Sequence, residues 1–247
     1  RLNEDNPCPQ LGKIVATNPC GESPLLDGEA CNLGSINLSH MYKNGKVDWQ
    51  RLCDTIHIAV RMLDDIIEVG QYPLPEIEKA VKRTRKIGLG VMGWADLLYK
   101  LHIPYDSEEA TSLAYDIMYD IKMQATIESV WLGCEKGTPD ACEPLGRRNA
   151  TLTCCAPTGT LALLADCSSG IEPVFSLVHT RTVTTVDGGT HDVEIFNPVY
   201  AALIDDKTVS DEEIQRICKT AYDIKPIDHL KMQAAFQIFT TLSVSKT

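Results

Sequence analysis

Residues with the chemistry of an active site occur in two short segments. The first is Asn18-Pro19-Cys20-Gly21-Glu22, in which a thiol lies two residues after an amide and two residues before a carboxylate. In an extended loop these three side chains would project from one face and converge on one small ligand. Cys31 follows in the same region. The spacing alone is equally compatible with a structural loop that happens to contain a cysteine.

The second segment is Pro157-Thr158-Gly159-Thr160-Leu161, which leads into an apolar run. At the start of a helix, free backbone N–H groups and threonine hydroxyls can bind an anion such as a phosphate. The segment is not a Walker loop, because it lacks the pattern G-x-x-x-x-G-K-[ST]. Taken alone, the segment is also explained by a plain turn.

Two other motifs suggest chemistry that the rest of the sequence does not support. Gly88–Gly93 fits G-x-G-x-x-G, but a dinucleotide site needs a buried strand before it, and residues 82–86 are too charged for one. We expect these glycines to let the helix that starts at Trp94 pack closely. The ten cysteines contain no C-x-x-C pair, and Cys154 and Cys155 would point to opposite faces of a strand, so no metal site is predicted.

Together, the two segments resemble a known family. Residues 17–22 and 31–38 resemble the active-site finger loop and following strand of ribonucleotide reductases, most closely the adenosylcobalamin-dependent class. Residues 157–160 resemble the substrate-phosphate loop of that family, and residues 168–173 match the segment that comes after this loop in the family. The resemblance extends over nearly the whole chain, through residues 85–93, 232–237 and 244–247.

The resemblance implies a role for each site residue. Cys20 would become a thiyl radical and abstract the ribose 3′-hydrogen, and Glu22 would take the 3′-OH proton as general base. Asn18 would hold the ribose hydroxyls, and Cys31 would be one member of the reducing dithiol. Residues 156–162 would bind the substrate phosphates.

The resemblance also implies cofactor, partners and fold. It implies adenosylcobalamin, a ribonucleotide substrate, a nucleotide effector bound outside this chain, a thioredoxin-like reductant and a homodimeric full-length protein. The expected fold is α/β, as part of the family's ten-stranded α/β barrel, with a central finger loop at about 17–31. Residues 1–247 would form one partial catalytic domain without a second domain. The other half of the dithiol lies upstream in the family, so we expect an internal fragment that is inactive alone.

Two alternatives remain open from the sequence. The iron-dependent class of the same family uses the same core residues with another radical source, although the short Cys20–Cys31 spacing favours the cobalamin class. A non-catalytic, nucleotide-binding product is the other alternative. A dehydrogenase based on Gly88–Gly93 would be recognised by NAD binding that survives the loss of Cys20.

Composition narrows the class of protein. The 247 residues include 23 Lys and Arg against 34 Asp and Glu, for a net charge of −11, which disfavours broad nucleic-acid binding. No apolar run is long enough for a membrane span. The cysteine content is too low for a disulfide scaffold, so we expect reduced thiols and a cytoplasmic location.

Several elements are predicted around these segments. Asp48 is expected to cap a helix that ends near Val69, Pro75 to start a second helix, and Ser107 to start a third that ends near Leu132. Loops are predicted for 1–47, with short strands, and for 133–150. Residues 173–200 are predicted to be β-rich with a turn at 187–189, followed by helices at 211–221 and 228–239 and a strand around 242–244.

Overall fold

A computed structural model describes residues 2–184 and 189–247. The helices are α1 (Trp49–Val69), α2 (Pro75–Thr84), α3 (Trp94–Lys100), α4 (Glu108–Lys136), α5 (Gly159–Leu164), α6 (Pro198–Asp205), α7 (Asp211–Ile217) and α8 (Pro226–Gln237). The strands are β1 (Ala16–Thr17), β2 (Pro24–Leu25), β3 (Asn32–Asn37), β4 (Tyr42–Lys43), β5 (Lys46–Val47), β6 (Ile87–Met92), β7 (Val178–Thr184) and β8 (Thr190–Phe196). Short 3-10 helices cover Pro9–Leu11, Leu38–His40 and Asp140–Leu145.

The centre of the molecule is a row of parallel extended segments. β3 and β6 pair in parallel along their whole length. Parallel bridges extend the row from Leu89 to Thr153 and from Cys155 to Val244. Because parallel neighbours need crossover connections, helices link these segments, as in an α/β fold. The predicted α/β class is confirmed.

Helices α1, α4 and α8 pack in sequence beside the row, and α1 lies against β3 and β6. Their apolar residues share one buried cluster with the strands, including Leu52, Ile56, Leu63, Ile117, Ile121, Met232 and Phe236. The predicted helix start at Pro75 is confirmed by α2, and the starts after Asp48 and Ser107 are confirmed by capping bonds. The Asp48 carboxylate accepts from the Arg51 N–H at 3.1 Å, and the Ser107 hydroxyl accepts from the Ala110 N–H at 3.1 Å.

Residues 82–86 form no strand, as predicted, but the glycine pattern that follows them is itself a buried strand, which the sequence analysis did not predict. β6 is buried at every position, although two charged residues precede it. Arg85 and Lys86 are themselves buried and paired, Arg85 Nε with Asp64 at 2.8 Å and Lys86 Nζ with Glu29 at 2.6 Å. Ion pairing therefore lets this charged stretch lead directly into a central strand.

The glycines of β6 allow close packing, but the neighbour is another extended segment. A Cβ on Gly90 would lie 2.0 Å from the Cys154 carbonyl oxygen, and a Cβ on Gly88 would lie 2.7 Å from Cys154 Cβ. α3 does begin at Trp94, as predicted. The G-x-G-x-x-G pattern is thus explained by strand packing.

The remaining boundaries differ modestly from expectation. α4 runs to Lys136, and a 3-10 helix occupies Asp140–Leu145, so the predicted loop over 133–150 is partly helical. β7 and β8 confirm the β-rich region, but α6 replaces its last residues. Asp187 and Gly188 of the predicted turn lie outside the described residues. α7 ends four residues early, and α8 covers nearly all of the predicted last helix.

Candidate active site

A β-hairpin carries the first candidate segment. β1 and β2 pair antiparallel on either side of residues 18–23. The Gly21 N–H donates to the Asn18 carbonyl at 3.0 Å, and Gly21 has φ of 81°, so the chain turns tightly through Pro19 and Cys20. Cys20 is exposed at the tip of this finger hairpin. The extended conformation expected for residues 18–22 is therefore wrong, because Pro19 and Gly21 favour a turn.

The side chains on either side of Cys20 have different surroundings. The Asn18 Oδ1 accepts from the Ser23 N–H at 3.0 Å, which closes the finger hairpin. Glu22 is 2% exposed, and its Oε2 has no hydrogen-bond partner among the described residues. A buried carboxylate oxygen without a partner is costly. Such an atom is suited to accept a proton or hydrogen bond from a ligand.

Cys31 lies immediately before β3, close to Cys154. Its Sγ would be 3.5 Å from a Cβ on Gly88, while Cys154 Cβ would be 2.7 Å from the same position. Burial raises the pKa of the Cys31 thiol, and Cys154 raises it further. Cys31 is therefore a neutral thiol near pH 7.

Cys154 connects Cys31 to the finger hairpin. Its thiol donates to the Glu22 carbonyl at 3.5 Å, and the Ser243 N–H donates to the same oxygen at 2.9 Å. Burial, with a smaller contribution from the Glu22 charge, raises the pKa of Cys154 to about 12. The structure thus places Glu22 and Cys31 against a common neighbour. The sequence analysis considered Cys154 only as a possible zinc ligand. The one sequence feature that could have indicated a place in the active site is the position of Cys154 just before the second candidate segment.

The second candidate segment starts α5 where the extended segment 151–155 ends. The first helical bond runs from the Ala162 N–H to the Thr158 carbonyl at 2.7 Å, so the N–H groups of residues 159–161 precede the bonded ladder. Pro157, Gly159, Thr160 and Leu161 are exposed, and a Cβ on Gly159 would meet nothing within 4 Å. This end of α5 is open to an incoming group.

Thr158 differs from its neighbours because its hydroxyl already has hydrogen-bond partners within the chain. The side chain is buried, and its Oγ1 accepts from the Gly170 N–H at 2.7 Å and lies 3.3 Å from Ser169 Oγ. Thr158 therefore ties the loop to residues 168–170. Thr160 remains the exposed hydroxyl of the pair.

Clustered metal ligands and long apolar helices would each point to another kind of protein. No group of three or more His, Cys, Asp or Glu residues suited to a metal ion occurs in residues 2–184 and 189–247. Within those same ranges, no helix is both long and apolar enough to span a bilayer.

Comparisons with known proteins identify the family. A family described as "Ribonucleotide reductase, barrel domain" matches residues 1–143 and 138–247. The vitamin B12-dependent ribonucleoside-diphosphate reductase of Mycobacterium tuberculosis (strain CDC 1551 / Oshkosh) is 45% identical over 272 residues, covering 100% of this chain and 39% of that protein. The protein of the same name from Thermoplasma acidophilum is 40% identical, covering 100% of this chain and 35% of its own length.

A solved structure supports the fold. The Actinobacillus ureae class Id ribonucleotide reductase alpha subunit aligns with a TM-score of 0.73 at 21% identity, over 94% of this chain and 47% of that chain. The chain therefore spans less than half the length of the relatives it matches. The family match over both halves of the chain confirms the resemblance found in the sequence. The chain belongs to the ribonucleotide reductase family and carries sequence of its barrel domain.

Proposed function

We propose that this chain carries the radical thiol, general base and phosphate loop of a reductase that converts ribonucleotides to 2′-deoxyribonucleotides. The observation that supports this most directly is the finger hairpin. It presents the exposed Cys20 thiol two residues before Glu22, whose buried Oε2 has no partner in the described part of the chain. A thiol and an acceptor so placed can act on adjacent atoms of one sugar.

Each residue has a defined task in this proposal. The Cys20 thiyl radical takes the 3′-hydrogen, so that an S–H bond forms and the C3′–H bond breaks. Glu22 Oε2 accepts the 3′-OH proton. Replacing the 2′-OH by hydrogen consumes two electrons and two protons and releases water. Two thiols supply both on becoming a disulfide, and Cys31 is one of them.

Asn18 is assigned a narrower role than its residue type allows. Because its Oδ1 accepts from the Ser23 N–H, the amide nitrogen is the group that would donate to a ribose hydroxyl. The phosphates would meet the N–H groups of residues 159–161 and the Thr160 hydroxyl, while Thr158 holds the loop. Pro157 and Leu161 border this exposed end of α5.

We further propose adenosylcobalamin as the cofactor. The relatives that are 45% and 40% identical are named vitamin B12-dependent, which favours this class over the iron-dependent one. The tip of the finger hairpin is open to an incoming group, since Cys20 is exposed and a Cβ on Gly21 would meet nothing within 4 Å. Cys20 would be the residue that faces the cofactor. When bound, adenosylcobalamin supplies the radical that the protein thiol needs.

The wider assignments belong to the same proposal. They are a nucleotide effector bound outside this chain, a thioredoxin-like dithiol reductant, a homodimer and a cytoplasmic location. The low cysteine content of the chain, ten residues in 247, is typical of a protein without a disulfide scaffold.

The experiment replaces one sulfur atom. In full-length reductase containing this chain, Cys20→Ser should abolish deoxyribonucleotide formation and leave ribonucleotide binding nearly unchanged, because the exposed side chain carries no packing role. Cys134→Ser is the matched control, since Cys134 is also exposed but lies on α4. Product formation by Cys20→Ser at about a tenth of the wild-type rate or more would contradict the proposal.

A further inference from the structure

Two cysteines outside the candidate active site lie together in a small buried cluster. Cys8 and Cys142 are both 0% exposed and pack with Ala150. Cys8 Sγ donates to the carbonyl oxygen of Ala141, the residue before Cys142, at 3.6 Å. Cys142 Sγ also donates to the Thr84 carbonyl at 3.4 Å.

We propose that Cys8 and Cys142 are an oxidation site, at which a small disulfide converts the two thiols into an intramolecular disulfide. The bond would join the segment that precedes the finger hairpin to the 3-10 helix at Asp140–Leu145. It requires neither Cys20 nor Cys31, so it is independent of the proposed function.

The charges around the pair distinguish its two thiols. The neighbouring Cys142 lowers the pKa of Cys8, burial opposes this, and Lys86 and Arg147 assist, so that the pKa falls to about 7. The neighbouring Cys8, together with burial, raises the pKa of Cys142. Because a thiolate is the attacking species in exchange, Cys8 is the nucleophile and Cys142 the resolving thiol.

A groove gives a small reagent a route toward the pair. A cavity of about 520 Å³ lies between the two segments, and Gln10, Leu11, Arg83 and Ala141 contribute to its wall. Leu11 also packs against the cysteine cluster, and Ala141 accepts from the Cys8 thiol. The Gln10 side chain bridges the groove, with its Nε2 donating to the Ala141 carbonyl at 2.9 Å. A local opening of residues 8–11 would uncover Cys8.

The exchange balances in two steps. The Cys8 thiolate attacks one sulfur of the small disulfide, which forms a mixed disulfide and releases one small thiol. Cys142 then loses its proton and attacks the Cys8 sulfur, which forms the protein disulfide and releases the second small thiol. The protein loses two electrons and two protons, and the small disulfide gains them.

Oxidised glutathione is the reagent for the test. The folded chain is incubated with it, the remaining thiols are blocked with N-ethylmaleimide after denaturation, and non-reduced peptides are mapped by mass spectrometry. We expect one dominant linked pair, Cys8 with Cys142, which dithiothreitol removes. The link should form equally in Cys20→Ser and Cys31→Ser, and Cys8→Ala or Cys142→Ala should lose it.

A denatured sample provides the control for specificity. If the chain is unfolded in urea before oxidation, the ten cysteines should give mixed linkages without this preference. Recovery of Cys8 and Cys142 as separate adducts from the folded chain would overturn the proposal, and so would linkage of either to other cysteines at equal yield. The wild-type map decides the question even where an alanine variant fails to fold.

Discussion

At the scale of single residues, Glu22 Oε2 and its neighbour Ser23 Oγ are buried acceptors without a hydrogen-bond partner in the described part of the chain. An unpaired buried acceptor costs about 1–3 kcal/mol, which a bound sugar hydroxyl would recover. The free-energy cost of burying Glu22 Oε2 without a partner therefore arises at the position where the substrate would bind. Cys20, by contrast, is exposed and costs nothing to keep free.

A prediction for the phosphate loop tests whether residues 159 and 160 bind the substrate phosphate or only maintain the structure of the loop. Thr160→Val removes an exposed hydroxyl, and Gly159→Val adds bulk where the structure has open space. A hydrogen bond to a charged group contributes about 1.5–3 kcal/mol, so Thr160→Val should weaken ribonucleotide binding by about ten-fold or more. Gly159→Val should weaken it as well, because the new side chain occupies the space where the phosphate approaches. Isothermal titration of the full-length reductase measures this.

Thr158→Val and unphosphorylated nucleoside are the controls for that experiment. Thr158→Val breaks the bond from the Gly170 N–H, so it should lower the thermal midpoint as well as binding. Nucleoside should bind the Thr160 and Gly159 variants as weakly as it binds wild type. Equal losses of nucleoside and nucleotide affinity would show that the loop is structural only.

The sequence led to most site residues through their resemblance to a family, and it missed the features that depend on tertiary contact. Cys154 lies beside Cys31 because Gly88 and Gly90 of β6 let the segment 151–155 pack closely against this strand. No local sequence pattern predicts that packing. The buried state of Glu22 likewise depends on neighbours far along the chain, such as Ser243.

At the scale of elements, local capping signals predicted where the long helices begin. Asp48 and Ser107 both cap as expected, since the caps involve residues only three positions away. β6 was missed for the opposite reason. The charged residues that precede β6, Arg85 and Lys86, are stabilised by ion pairs with Asp64 and Glu29, which are distant in sequence.

The packing of β6 gives a prediction about stability. In Gly90→Ala the new Cβ would lie 2.0 Å from a backbone carbonyl oxygen, which no rotamer change relieves. We expect a loss of about 3 kcal/mol or more in the free energy of unfolding, at the upper end of overpacking effects. Urea denaturation measures it. Gly159→Ala is the matched control, because a Cβ there meets nothing within 4 Å; similar stability of the two variants would contradict the close approach.

At the scale of the whole molecule, one buried ion-pair network joins distant segments. Asp64 on α1 pairs with Arg85 before β6 and with Arg148 after α4, at 2.8 and 2.9 Å. Burial alone would raise the pKa of Asp64, but the two guanidinium groups and Asn149 outweigh it and lower the pKa. The network therefore holds the helices to the parallel row at neutral pH.

The whole-molecule architecture was predictable only through the family. Composition and periodicity indicate an α/β chain, whereas the order of the parallel row depends on isolated bridges such as Cys155 with Val244. A single bridge leaves almost no period-2 signal in the sequence. The match of 94% of the chain to a solved alpha subunit shows the same overall fold.

The central claim is that Cys20, and not Cys31, takes hydrogen from the sugar. The most direct measurement is tritium release from a [3′-³H]ribonucleotide by full-length reductase in the presence of adenosylcobalamin. Cys31→Ser should still release tritium while forming no clean deoxyribonucleotide, because abstraction precedes the need for the dithiol. Cys20→Ser, alone or combined with Cys31→Ser, should release none although it binds the substrate. Tritium release by Cys20→Ser at the level of Cys31→Ser would contradict the account.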